Sequence, residues 1–165
     1  MRPEEFQNRV LPLHAGLYRF ARSLLNHREE AEDCVQEVMT KLWSKKNTLS
    51  HVRDLKAYCF QIMRNHCLDI LRKNKMDLKD IDTGIPSDSD VHTEAEMTDK
   101  LAIVQRLISR LPEPQRTVIH LRSIEAWEMN EIAEVTGTTV EHARVILSRA
   151  RLALRQAYQT IYAND

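Results

Sequence analysis

The chain has 165 residues, 42% of them hydrophobic and 5% aromatic, with only 3 Gly and 5 Pro. That is enough for one medium domain or two small ones, too apolar for a disordered chain and too poor in turn formers for a strand-rich fold. The formal net charge is zero, but it is unevenly spread: residues 1–75 hold 14 Lys/Arg against 9 Asp/Glu, residues 76–100 hold 2 against 8, and residues 101–165 hold 8 against 7.

The first periodic segment sets Phe6, Val10, Leu13, Leu17, Phe20 and Leu24 at helical spacing on one stripe. Pro12 interrupts it, so a kink or break is expected there. Asn26, with Glu29 three residues on, is read as the start of the next helix. In that helix, residues 28–43, Ala31, Val35, Val38 and Leu42 share one face. Glu29, Asp33, Gln36, Glu37 and Thr40 gather opposite, and on an isolated helix such a stripe is a solvated face. Residues 44–53 (SKKNTLSHVR) lack periodicity and read as a basic loop, with Trp43 at its start taken as core.

Asp54 is placed to cap the following helix, residues 55–73. Leu55, Tyr58, Cys59, Phe60, Ile62, Met63, Ile70 and Leu71 make it apolar around more than half its circumference, which suits the centre of a bundle. Its polar strip holds Gln61, Arg64, Asn65 and Arg72, with Asp69 placed to pair with Lys73. Cys34, Cys59 and Cys67 form no Cys-x-x-Cys pair and fall in apolar-periodic segments, so they read as buried free thiols. A zinc site using Cys67 with His66 or His51 has no recognisable ligand spacing, and neither a metal nor a cofactor is expected.

Residues 76–100 are polar, acidic and contain TGIPSDSD, which predicts a flexible acidic linker between two domains, residues 1–75 and 101–165. Leu101, Val104, Leu107, Ile108 and Leu111 then mark a helix ended by Pro112 and Pro114. A further apolar segment, residues 115–122, precedes EIAEVTG, Gly137 and the basic stretch VEHARVILSRARLALR of residues 140–155. A short helix, a glycine turn and a longer basic helix form a helix-turn-helix pattern. Val140, Ala143, Leu147, Ala150 and Leu154 make the seam of the last helix, and Thr138 with Glu141 fits a capping box. Arg144, Ser148, Arg151 and Arg155 flank the seam, while Glu141, His142, Val145 and Arg149 face outward. In a major groove the N-terminal outward residues meet base edges, the arginines reach phosphates and Val145 meets a thymine methyl. The bland counterpart is a solvated terminal helix whose arginines favour its dipole.

No glycine-rich phosphate loop or nucleophile–base pair points to an enzyme. No apolar run approaches the roughly 18 residues of a membrane span, and MRPEEFQNRV has no signal-peptide core, so a cytoplasmic chain without membrane insertion is expected.

LPEPQRTVIHLR, EIAEVTG and LSRARLALR together resemble region four of the sigma-70-type RNA polymerase initiation factors. EEAEDCVQEVMTKLW and LKAYCFQIMRNHCLDILRK resemble region two of the same family, and the order over nearly the whole chain is similar to the two-domain extracytoplasmic-function class. The resemblance implies that Asp33, Gln36 and Glu37 dock on core polymerase. It also implies that Lys45, Lys46, Asn47, Arg53, Asn65 and Arg72 engage the non-template strand of the −10 element. Residues Glu141, His142, Arg144, Val145, Ser148, Arg149 and Arg151 are then the readers of a duplex −35 element. The acidic linker takes the place of the family segment that threads the polymerase RNA channel. Members of the class are often held by an anti-sigma factor. The chain departs from the family at Ala126 and Glu128, where a glycine and a Ser or Thr are common, and at Val145 and Ile146, where many members are polar. A stand-alone helix-turn-helix regulator and a protein-binding helical adaptor are the competing readings.

Overall fold

The computed structural model describes residues 1–77 and 99–163, and every element among them is helical. The chain divides into two compact units, Met1–Ser87 and Asp88–Asp165. The linker expected over residues 76–100 lies almost wholly outside the described residues.

In the first unit, α1 (Pro3–Arg9) is separated from α2 (His14–Leu25) by a 3-10 turn at Leu11–Leu13. Pro12 sits inside that turn, where its missing N–H and fixed φ break the helix as expected. Asn26 does not open the next helix. It stands in the left-handed region at φ 56° and closes α2, its N–H bonding to Arg22 O at 3.0 Å. His27 caps α3 (Arg28–Ser44) instead, its Nδ1 accepting the Glu30 N–H at 3.1 Å. A four-residue helix, α4 (Lys46–Leu49), stands where the sequence reads as a loop. Fully buried Leu49 explains it, because one apolar anchor pins the polar segment to the core. Asp54 Oδ1 then accepts the Ala57 N–H at 3.1 Å at the head of α5 (Leu55–Asp77).

Helices α2, α3 and α5 pack on one another around Leu17, Phe20, Leu24, Val35, Val38, Leu42, Phe60 and Met63, all buried. Each such side chain contributes about 1.5–3 kcal/mol by leaving water. The α3–α5 contacts pair rising with falling residue numbers, Glu30 with Asn74, Cys34 with Cys67 and Glu37 with His66, so the two helices run antiparallel. The three cysteines are buried free thiols. Cys34 Sγ lies 3.4 Å from Met63 Sδ and 3.6 Å from Cys67 Sγ, a sulfur seam at the centre of this packing. Burial pushes the Cys59 thiol up to about 12, and the Cys34 contact together with burial raises Cys67 as well. Deprotonating either thiol is therefore disfavoured while the unit is folded.

The second unit contains α6 (Asp99–Ser109), α7 (Glu113–Ile119), α8 (Met129–Thr136) and α9 (Val140–Ala163), with α9 packed against the other three. Pro112 stands before the first residue of α7, and Pro114 lies within its first turn, where no helical N–H is lost. Beyond α7 the chain widens into a π-turn, His120–Ile124, and Glu125 N–H bonds to His120 O at 3.1 Å. Ala126 follows at φ 58°, and the Arg122 guanidinium caps the turn by donating to Trp127 O at 2.7 Å. Among the described residues no helix is long and apolar enough to cross a membrane.

Candidate functional site

Asp33, Gln36 and Glu37 are all exposed on α3, as are Glu29 and Thr40, while Ala31, Cys34, Val35, Val38 and Leu42 are buried on its other side. The acidic face is thus open along the helix, with one member in contact with the neighbouring helix. Glu37 Oε2 lies 2.8 Å from His66 Nε2 of α5, a contact between residues 29 positions apart that no local pattern announces. Trp43 extends this outward face by two turns from Gln36. It is 42% exposed, so the expectation that it is core is overturned. Phe6 meets it edge-on with ring centroids 5.0 Å apart, and Lys46 Nζ lies 3.7 Å from its ring centroid.

The basic candidates of this unit do not form one cluster. Lys45, Lys46, Asn47 and Arg53 stand between the end of α3 and the start of α5, with Lys45, Asn47 and Arg53 exposed. Asn47 also accepts the Ser50 hydroxyl through its backbone oxygen at 2.8 Å, which tightens the short helix α4. Asn65 is exposed in the middle of α5. Arg72 is exposed near the far end of that helix, roughly 25 Å along the axis from Leu55. It contacts Asp69 at 3.6 Å, so the acid pairs with Arg72, three residues on, rather than with Lys73.

In the second unit the turn between α8 and α9 fixes the direction of the basic helix. Gly137 sits at φ 67°, and a Cβ placed on it would meet no atom within 4 Å, so its conformation and not crowding requires glycine. Thr138 N–H reaches back across it to Ala133 O at 3.0 Å. Thr139, one residue later than the expected cap, accepts the His142 N–H on its Oγ1 at 3.1 Å and begins α9. The Thr138–Glu141 capping box is therefore replaced, and Thr138 Oγ1 lies 3.0 Å from Thr136 Oγ1. Glu131 supplies the back-bond at the head of α8 by accepting the Glu128 N–H at 3.2 Å.

This cap leaves Glu141, His142, Arg144, Val145, Ser148, Arg149 and Arg151 all exposed, while Ala143, Leu147 and Ala150 are buried. Ile146 is buried too and belongs to the seam, which explains an apolar residue there. Leu152 is 48% exposed and lies two turns beyond Val145, an outward apolar position that the sequence pattern does not single out. The face carries Arg144, Arg149 and Arg151 around the exposed apolar Val145 and Leu152, with one acid, Glu141, in its first turn; such a face suits phosphates at its edges and base methyls at its centre. Among the described residues no group of three or more His, Cys, Asp or Glu side chains is arranged to hold a metal ion.

Comparison with known proteins divides the chain in the same way. The family description Sigma-70 region 2 matches residues 10–76, and Sigma-70, region 4 matches residues 101–154. The ECF RNA polymerase sigma factor RpoE of Cereibacter sphaeroides is 34% identical over 132 residues, covering 79% of this chain and 71% of its own. The RNA polymerase sigma factor SigV of Bacillus subtilis is 29% identical over 142 residues, covering 84% and 81%. Among solved structures, the sigma factor RpoE of Bartonella quintana, in complex with the anti-sigma factor NepR, superposes with a TM-score of 0.82. It is 26% identical, with 94% of this chain and 98% of that chain covered.

Proposed function

The chain belongs to the sigma-70 family of RNA polymerase initiation factors, in the extracytoplasmic-function class, and from that premise we propose how its two units divide the work. As a sigma factor it binds core RNA polymerase and directs promoter-specific transcription initiation. In our reading, residues 1–75 form the polymerase-docking and −10 domain, residues 76–100 the linker and residues 101–165 the −35 domain. The acidic face of α3, with Asp33, Gln36 and Glu37, docks on the polymerase. Lys45, Lys46, Asn47 and Arg53 engage the phosphates of the opened −10 strand, and Asn65 contributes from the middle of α5. Arg72 stands away from this cluster and is the weakest member of the set.

The −35 element is read by the outward face of α9. Glu141, His142 and Val145 approach base edges, and Arg144, Ser148, Arg149 and Arg151 hold the backbone. The chain works as a guide for the polymerase in the cytoplasm, with no chemistry of its own. The Bartonella RpoE complex with NepR supports placing an anti-sigma factor among its partners. The observation that carries this reading is the ordered pair of region matches, one on each compact unit. A stand-alone helix-turn-helix regulator leaves the match over residues 10–76 without a role.

The test is reconstitution of the full chain with bacterial core polymerase and a library of promoter fragments. Specific run-off transcripts that require the chain are expected. Transcription equal to that of core alone across the library rejects the reading.

A further inference from the structure

We infer that His66 is a positioning residue of the polymerase-docking face, fixing the carboxylate of Glu37 in the direction from which the partner meets it. The inference rests on the reading of α3 as that docking face. Glu37 is largely solvated, with a side chain 66% exposed, and a free glutamate in such a position samples many rotamers. His66 is far less mobile: its side chain is 19% exposed and lies against the α3–α5 seam. Its Nε2 stands 2.8 Å from Glu37 Oε2, within ion-pair distance though off the alignment of a hydrogen bond, so the link between them is electrostatic.

The surrounding packing makes the brace rigid. One turn before Glu37, Cys34 is locked between Met63 and Cys67 at 3.4 and 3.6 Å. His66 lies directly before Cys67 in α5, so the backbone beneath both halves of the pair is set by the same buried sulfurs. At the other end of the interface Asn74 Nδ2 meets Glu30 Oε1 at 3.5 Å. Two α3 carboxylates are thus tied to α5, whereas neighbouring Asp33 and Gln36 point outward beside them. A side chain that is already ordered loses less freedom on association, so the contact raises affinity through its effect on Glu37 and not by touching the partner itself.

The experiment measures equilibrium binding of the full chain to core polymerase for Glu37→Ala, His66→Phe, His66→Gln and the Glu37→Ala, His66→Phe double variant. Phenylalanine keeps a ring and removes the polar nitrogen that faces the carboxylate; glutamine keeps a polar amide there. Glu37→Ala is expected to weaken binding about tenfold. His66→Phe should weaken it about threefold, His66→Gln should bind nearly as the parent, and the double variant should be no weaker than Glu37→Ala. Urea unfolding separates this from a loss of folding, since the Phe variant should keep its midpoint. If His66→Phe binds as tightly as the parent, or weakens binding equally with and without Glu37, the inference is wrong while the docking reading stands. If Glu37→Ala binds as the parent does, both are wrong.

Discussion

Helices α3 and α9 are built on one plan and carry opposite messages. Each buries a seam of small and branched apolar residues: Ala31, Val35, Val38 and Leu42 on the first, Ala143, Ile146, Leu147 and Ala150 on the second. Each keeps its opposite face exposed over three turns. The burial pattern holds each helix in its unit, but it says nothing about partners. What differs is the sign of the outer charge, acidic around Asp33 and Glu37 and basic around Arg144, Arg149 and Arg151. Duplex DNA repels the first face and attracts the second. The zero net charge of the whole chain hides a division that matters at the level of single helix faces.

Reversing the charge of one face is the strongest way to break this comparison. Asp33→Arg together with Glu37→Lys places cations on the proposed docking face, which on that proposal costs on the order of 3 kcal/mol, about a hundredfold in affinity. Both positions are exposed, so folding should be unaffected. A binding titration with core polymerase reads the loss, and the thermal unfolding midpoint controls for structure. Retained affinity means that the acidic face is only solvated. On the other helix, Arg151→Ala removes one proposed phosphate contact. It should weaken −35 duplex binding by the holoenzyme about fivefold, nearly equally for all sequences, and lower the salt slope by about 1. An unchanged slope in a salt titration places Arg151 off the backbone.

The two helices also differ in how much of them the sequence discloses. Both seams are legible because apolar residues recur at helical spacing and the buried set follows from that alone. Their beginnings are less so. Asn26 and His27 are adjacent, and either can close one helix or open another; the left-handed φ of Asn26 assigns it to the end of α2. Thr138 and Thr139 present the same ambiguity, and the back-bond of Thr138 N–H to Ala133 O leaves only Thr139 to cap α9. The exposure of Trp43 and the Glu37–His66 contact lie beyond local reasoning altogether. They depend on how α1 and α5 sit against α3, which is a tertiary outcome that periodicity does not encode. Likewise Leu49, one apolar residue in a polar stretch, nucleates α4 only because a core exists to receive it.

The start of α9 supplies a smaller test. Thr139→Ala removes the oxygen that holds the His142 N–H and should destabilise the second unit by about 1 kcal/mol. Thr138→Ala loses only hydroxyl contacts with Thr136 and the Thr139 carbonyl, and should change the urea midpoint much less. Equal losses from the two substitutions reject the assignment of the cap. The same measurement matters for function, because the cap sets which residues occupy the first outward turn of the helix. A shift of one residue turns every outward side chain by about 100° around the helix axis.

Val145→Ala carries the smallest expected effect and the most specific one. Val145 is 43% exposed on the face that carries the arginines, and packing gives no reason for it. Alanine has the higher helix propensity by about half a kcal/mol, so unfolding of the second unit should move slightly upward or not at all. If the valine meets a thymine methyl, its truncation lowers affinity by about 0.5 kcal/mol for promoters carrying thymine at one −35 position. Promoters with another base there should bind as before, because no hydrogen bond and no charge is removed. Competition binding across the four bases at each −35 position reads the difference directly. A loss spread evenly over all sequences shows that Val145 shields a phosphate contact, and no loss leaves base choice to Glu141 and His142. In either case α9 retains its cations, and the charge contrast with α3 stands independently of which bases it prefers.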